Sequence, residues 1–416
     1  MNVHTCCDNI ETETLSVTQA LEHLEQSLQP IVQEEQLAIR SALNRILAEP
    51  IYSQIDVPPY DKSAMDGYAL RSADLPKQGQ CQLTVIATAF AGKPCSQTLQ
   101  AGQCIRIFTG AVMPAGADTV IMQEDVHAQA DHIIFEAGAK SGQHVCLRGE
   151  DLTQGQVVLE PGKRLSPADI GLLASLGLPE VKVKRRLRVS FFSTGDELRA
   201  VGESLEAGQI YDSNRYTLYG MLNRLGVEVI DMGVVKDEPL VIKHALLAAA
   251  ADSDVIITSG GVSVGDADYV TDILQHIGTM HFWKIAMKPG KPLTFGRIEK
   301  AVFFGLPGNP VSAMCTFYQL VQPGLQRLMG QNKTPPLRIT VPCVSTLKKR
   351  PGRTEFQRGI LETDAQGQLI VRSTGQQGSG ILSSMSQANC FIILSPECTH
   401  INAGETVVVE PFASLV

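Results

Sequence analysis

The spacing of apolar residues changes character along the chain. After Ser16, the positions Val17, Ala20, Leu21, Leu24 and Leu28 follow a helical period, with Ser16 placed to cap the helix. A second helical piece is expected near Ser41 to Leu47, before Pro50, Pro58 and Pro59 end helical character. From about 55 to 150 the runs CQLTVIATAF, CIRIFTG, TVIMQEDV and HIIFEA are short, β-leaning and separated by turn residues, which predicts a small β domain. Leu165 to Leu178 returns to helical spacing, so the β domain reads as an insertion within an elongated helical region.

From Val181 the pattern alternates strand and helix. VKVKRRLRVSFFS, VEVIDMGVV, DVIITS and KAVFFG read as strands. Asn214–Leu225, Pro239–Ala251, Asp268–Ile277 and Pro310–Met329 read as helices. Such alternation implies a mostly parallel, doubly wound sheet. Beyond Asn332 and the Pro335–Pro336 pair, short strands with glycine turns predict a separate small β-barrel or sandwich.

Length and composition narrow this picture. A chain of 416 residues exceeds one ordinary core, and 44% hydrophobic with 19% charged residues is globular composition. The net charge of −8 argues against a nucleic-acid partner, although clustered Lys and Arg can still oppose it around a small anion. Ten scattered cysteines without a matched CxxC pair suit a reduced compartment. The polar start and the lack of a long apolar run predict neither a signal peptide nor a membrane partner, and so a cytoplasmic location.

Ligands of open α/β sheets sit beyond the carboxyl ends of the strands, so the loops there hold the candidate chemistry. In FSTGDEL, Asp196 and Glu197 could ligate Mg²⁺ or simply begin a helix. In IYDSN, Asp212 or Ser213 caps a helix, with Asn214 beside them. TSGGVSVGDADY offers Gly260 and Gly261 for close backbone approach to a phosphate, hydroxyls from Ser259 and Ser263, and carboxylates from Asp266 and Asp268. In GLPGNPVS, Gly305, Pro307, Gly308, Asn309 and Pro310 form either a rigid turn or an anion site at a helix start. Lys284, Lys288 and Lys291 bring cations to the same region, and Trp283 either stacks on a ligand or fills the core.

Three further segments stand apart: VPPYDKSAMDGYAL with Asp61 and Asp66, RIFTGAVMPAGAD with Thr109, and LRGEDL with Arg148, Glu150 and Asp151. Each alone is an ordinary surface turn.

Together these segments resemble the MoeA family, the molybdopterin molybdenumtransferases related to the E domain of gephyrin. The matching runs are SAMDGYA, RIFTGA, RGED, FSTGDEL, IYDSN, SGGVSVGDADY, KPGKP and GLPGNPVS, in the family's order, with GRTEFQRG and GSGILSSMSQANC in the tail. The resemblance implies a multidomain α/β plus β molecule. Its parts are an elongated helical domain (14–54 and 150–180, the first helix able to pack on the α/β domain), an inserted β domain (55–149), a doubly wound MogA-like α/β domain (181–332) and a C-terminal β-barrel (333–416). It implies a homodimer whose clefts combine the α/β domain of one subunit with the inserted domain of the other. The implied reaction is Mg²⁺-dependent insertion of molybdate into adenylylated molybdopterin, releasing AMP and molybdenum cofactor. A molybdopterin adenylyltransferase would act upstream.

Carried over by position, the family's acidic residues fall on Asp66, Asp151, Glu197, Asp237 and Asp268, and its basic pair on Lys284 and Lys288. Thr109 matches its cleft threonine, Pro307 and Pro310 its proline loop, and Arg358 and Ser379 polar positions of its C-terminal barrel, while Glu197 and Asp268 are the expected metal ligands. Lys62 stands where Asn is frequent, and Ala267 where an aromatic residue is frequent. Two other functions are compatible with parts of the pattern: molybdopterin adenylyl transfer, and a gephyrin-like scaffold without catalysis.

Overall fold

The strands Arg188–Thr194, Val255–Ser259 and Ala301–Leu306 are almost wholly apolar, which is the mark of strands covered on both faces. A computed structural model, describing residues 14–260 and 269–412, bears this out. Adjacent residues along each strand go to opposite layers. Phe191, Ile257 and Phe304 pack with the helices Val17–Ser27 and Ser213–Leu225 and with Pro310–Thr316 and Gln322–Leu328, which a π-helical turn at Phe317–Val321 joins. Phe192, Ile256 and Phe303 pack with the helix Pro239–Asp252 and with Leu274.

The seven-stranded sheet runs in the order Thr14–Leu15, Gly278–Ile285, Pro292–Ile298, Ala301–Leu306, Val255–Ser259, Arg188–Thr194, Glu228–Val235. Its pairings are parallel except on both sides of Pro292–Ile298. Successive connections leave Arg188–Thr194 in one direction and later strands fall on its other side, so the order reverses between Arg188–Thr194 and Val255–Ser259. That reversal opens a crevice at the carboxyl ends of these two strands.

The first helix forms as its spacing predicts. Ser16 Oγ accepts from the Gln19 N–H at 3.1 Å, and Gln19 Oε1 accepts from the Ser16 N–H at 2.9 Å, a reciprocal cap. Ala20, Leu24 and Leu28 are buried in the α/β core.

By internal contacts the chain divides into two units: residues 14–35, 44–46 and 184–412 of the described chain, and residues 36–43 with 47–183. The second unit contains a six-stranded sheet ordered Thr119–Met122, Gly67–Leu70, Gln103–Ile107, Gln80–Ala89, His132–Glu136, Val126–Gln129, so each predicted β run forms strand. In the first unit, Thr354–Thr363, Cys390–Leu394, Thr406–Pro411 and Ile339–Pro342 pair in that order, and Leu369–Ser373 pairs the free side of Thr354–Thr363. This sheet curls until Cys343 bridges Val371.

Several expectations need correction. No α-helix spans 41–47: Ile39–Ala42 is one tight turn, and Asn44 takes a left-handed φ of 63°, which breaks helical continuation. The region expected to be elongated and helical holds only the helices Val17–Ser27 and Pro167–Ser175, with short strands such as Glu34–Ala38, Ile51–Tyr52 and Val157–Leu159 between. VKVKRRLRVSFFS is two strands, Glu180–Lys184 and Arg188–Thr194, parted at Arg185–Leu187. Arg185 turns aside there to hold Asp254 through two bonds of 2.8 and 3.0 Å. HFWKIAMKPGKPLTFG, to which no strand was assigned, supplies two strands that pair antiparallel, and the sheet is otherwise parallel as expected.

Candidate functional site

Three loops meet at the crevice. The strand Arg188–Thr194 ends at Thr194, whose carbonyl lies 2.7 Å from where a side chain on Gly260 would begin. Gly260 has a φ of +88°, so both conformation and space require glycine there. The Gly260 N–H donates to the Leu306 carbonyl at 3.1 Å, and a Cβ on Gly308 would stand 3.9 Å from the Gly260 Cα. The backbone of Gly260 and that of the GLPGNP loop are therefore in contact. Pro310 occupies the first turn of its helix, and Asn309 makes no side-chain cap. The turn is fixed, as the rigid-turn reading expects, whereas Pro310 has no N–H and the Val311 N–H is taken by the Ser379 carbonyl, so the first two positions of the helix offer an anion no free N–H.

Asn214 joins the two loops. Asp212, not Asn214, caps the helix, accepting from the Arg215 N–H at 3.1 Å. Asn214, one residue inside that helix and 8% exposed, donates from Nδ2 to Ser259 Oγ and to the Gly308 carbonyl, both at 2.7 Å. Sequence reasoning treated this residue as part of a helix start.

Asp196 and Glu197 do not begin a helix. Gly195 turns the chain at a φ of 149°, the Glu197 carboxylate lies back over Gly195, and Leu198–Arg199 pairs with Ile210–Tyr211. Burial, together with the Asp196 and Glu197 carboxylates, raises the Asp237 carboxyl above its ordinary range. Glu197 and Asp237 are thus brought together with Asp196. Among the described residues no set of three or more acidic, His or Cys side chains closes into a metal cage. Gly261, Ser263 and Asp268, and Asp266 with them, lie outside the described residues.

Lys284 and Ile285 end a strand that runs parallel to Val255–Ser259, three positions across the sheet. Lys288 extends onto the curled C-terminal sheet, pairing beside Thr354–Glu355, and its ammonium meets Glu355 at 3.1 Å. Lys288 and Glu355 line a cavity of about 390 Å³ with Arg350, Pro351 and Arg353. The intervening Gly290, at a φ of +102°, packs against Thr316 and Ser312 of the helix that begins at Pro310. Trp283 is 7% exposed and stacks on Phe295 at 5.2 Å, so of its two readings the core one holds.

Arg358 is 1% exposed and donates to Ser384 Oγ and the Gly378 carbonyl, each at 3.0 Å. Burial pushes its guanidinium below the ordinary value. The Ser379 carbonyl accepts from the Val311 N–H at 3.1 Å, which ties this loop to the helix start after Pro310.

In the other unit, Asp66 and Thr109 form one constellation. The Thr109 hydroxyl and N–H both donate to Asp66 Oδ1, at 2.6 and 2.7 Å, and hold its carboxyl below the ordinary range. Asp151 is exposed, its N–H bonded to the Val57 carbonyl. Arg148 nearby is fixed by Asp56 at 2.5 Å and by Asp61, which accepts its N–H at 2.7 Å.

The chain is similar to known proteins in sequence and in structure. Residues 15–177 match the family model of the MoeA N-terminal region, domains I and II. Residues 190–327 match a probable molybdopterin binding domain, and 340–412 the MoeA C-terminal region, domain IV. The molybdopterin molybdenumtransferase of Haemophilus influenzae is 47% identical over 97% of this chain and 100% of its own length. The gephyrin of Dictyostelium discoideum is 34% identical over 90% of this chain, which spans 58% of that protein. A crystal structure of the molybdopterin biosynthesis MoeA protein from Pyrococcus horikoshii superposes with a TM-score of 0.83, at 30% identity, over 96% of this chain and 100% of that one. With three family regions in order and a near-full-length relative at this identity, the chain belongs to the MoeA family.

Proposed function

We propose that this chain is a molybdopterin molybdenumtransferase that inserts molybdate into adenylylated molybdopterin, releasing AMP and molybdenum cofactor. One observation carries the reading: the Gly260 and Gly308 backbones meet at the switch point of the sheet, beside the Glu197 and Asp237 carboxylates. Backbone N–H groups brought close by glycine suit a pyrophosphate, and carboxylates without a cationic partner among the described residues suit a divalent metal beside it.

The donor set fits Mg²⁺. Asp237 is held above its ordinary range by burial and by two like charges, a repulsion that a hard cation relieves. Mg²⁺ needs only one or two carboxylates when waters and phosphates complete its shell, so the lack of a closed three-ligand cage among the described residues is compatible. Glu197 and Asp268 would hold it, with Asp237 beside them. When bound, the ion would offset charge on the phosphoanhydride oxygens.

The chain's own residues do the remaining work. Ser259, Gly260, Gly261 and Ser263, with Gly305 to Pro310, bind the phosphates. Lys284 and Lys288 hold oxyanion charge, and Arg358 and Ser379 support the loop next to Pro310. Asp66, with its carboxylate fixed ionised by Thr109, and Asp151 complete the cleft from a second copy in a homodimer. In this reading the curled C-terminal sheet is a barrel, the α/β unit is MogA-like, the protein acts in the cytoplasm, and a molybdopterin adenylyltransferase supplies its substrate.

The test is AMP release. Adding molybdate to the purified chain with adenylylated molybdopterin and Mg²⁺ should release AMP and form cofactor, and chelation should stop both. Formation of adenylylated molybdopterin from molybdopterin and Mg-ATP, with no response to molybdate, would instead identify an adenylyltransferase.

A further inference from the structure

The hydrogen bonds around Asn214 have a direction, and that direction decides what Ser259 can do. A carbonyl oxygen only accepts, so the Asn214 atom at 2.7 Å from the Gly308 carbonyl must be the amide nitrogen. The same nitrogen lies 2.7 Å from Ser259 Oγ, which leaves the serine oxygen as acceptor in that bond. The Ser259 hydroxyl proton is then free for a different partner, and none is found for it among the described residues. Ser259 is 2% exposed, at the strand end whose next residue, Gly260, is in contact with Gly308.

Two further atoms indicate a place prepared for something polar. Asn214 Oδ1 and the Ser193 hydroxyl are buried without a hydrogen-bond partner among the described residues. Ser193 is the register partner of Ser259 on the adjacent strand. Asp212 Oδ2, at the start of the same helix, is in the same condition. Buried polar atoms are rarely left unpaired, so such a group at a strand end marks a site for water or a ligand rather than packing.

We propose that Asn214 is a positioning residue of the phosphate site: it clamps the Ser259 and Gly308 loops together and sets Ser259 as a donor to a phosphate oxygen. This rests on the reading of the site as one for adenylylated molybdopterin. Asn214 touches no reacting atom in this scheme. It acts by polarising and placing Ser259, and by fixing the Gly308 carbonyl so that the neighbouring N–H groups face the crevice.

The experiment uses three variants of the whole chain: Asn214→Asp, Ser259→Ala and the two combined. Asn214→Asp keeps the shape but donates nothing, so the Gly308 carbonyl meets a carboxylate and the Ser259 proton turns inward. AMP with Mg²⁺ is titrated by calorimetry, and KM for adenylylated molybdopterin is measured beside kcat. Asn214→Asp is expected to weaken AMP at least about tenfold and raise KM similarly, with kcat within about threefold. Ser259→Ala should weaken AMP about threefold to tenfold, and adding it to Asn214→Asp should cost little more, because the two act through one bond.

An Asn214→Asp chain with parental AMP affinity and KM, and only a lower melting midpoint, overturns the proposal and leaves Asn214 a structural residue. Independent, multiplying effects of the two substitutions overturn it as well. Should Asn214→Asp not fold, Ser259→Ala decides: unchanged affinity and KM refute the donor role. A parental chain that binds neither AMP nor adenylylated molybdopterin refutes the ligand reading itself, and this inference with it.

Discussion

Asp237 shows how a site residue works against the fold that holds it. Its carboxyl is raised above the ordinary range by burial and by Asp196 and Glu197, so the folded chain keeps that proton more tightly than the unfolded one. The stability linked to this group is full below the ordinary carboxyl range and is lost as pH rises through the raised value, leaving a cost at neutral pH. Asp237→Asn is therefore expected to raise the melting midpoint in chelator by about 1–3 °C at pH 7, while most turnover is lost. The gain should shrink as pH falls through the raised value, where the parent carboxyl takes up its proton too. A midpoint at pH 7 below that of the parent would contradict the sign. Asp254 behaves in the opposite sense: burial acts to raise it, but the Arg185 pair and the Arg188 N–H outweigh burial and hold it low. That stabilisation is present at neutral pH and disappears as pH falls through the lowered value. One strand thus begins at a carboxylate that steadies the fold, while a nearby strand leads into one that burdens it.

The first helix is an element of the α/β core although sequence places it far from that core. Leu24, 2% exposed, belongs to the same cluster as Phe304 and Trp283. Leu24→Ala is expected to cost about 2–4 kcal/mol, and the loss should appear in urea unfolding followed by the fluorescence of Trp283, the single tryptophan. A Trp283 transition that does not move would show the helix to be energetically separate. The helix itself was legible from its spacing and from Ser16, because its cap and stripe are local. The loop chemistry was legible for a similar reason: SGG and GLPGNP announce backbone needs that few other residues meet. What was not legible depends on partners distant in sequence. Gly278–Ile285 holds Lys284 and runs on to Lys288 and Lys291 among prolines, so the segment stood out for its cations, and only pairing with Pro292–Ile298 makes it a strand. Asn44 ended a helical pattern through a backbone angle that no periodicity reveals. Asn214 could have been found by elimination: with Asp212 already capping the helix, a second short polar side chain in the first turn had no local task.

For the molecule as a whole, the residues assigned to one chemistry are divided between the two contact units: Asp66, Thr109 and Asp151 in one, Glu197, Asp237 and the lysines in the other. If each cleft draws on two copies, inactive chains should rescue one another. Asp66→Asn and Glu197→Gln are each expected to be inactive alone. Co-expressed in equal amounts they should recover about a quarter of parental activity, since half of a random dimer population is mixed and each mixed dimer has one intact cleft. Recovery near zero, with mixed dimers present, would place all these residues in one chain's cleft.

Among the described residues the outermost strand of the large sheet is Thr14–Leu15, and it occupies the position beside Gly278–Ile285. Leu15 is 1% exposed, and its carbonyl accepts from the Ala286 N–H at 2.7 Å, just before the lysine-bearing turn. Proteolytic trimming past this point would therefore not shorten a tail. It would bare a row of main-chain donors and acceptors along a strand rich in aromatic residues, inviting neighbouring molecules to add on edge to edge. Solubility of recombinant chains, and the conformation of the turn carrying Lys288, should both hinge on keeping those two residues.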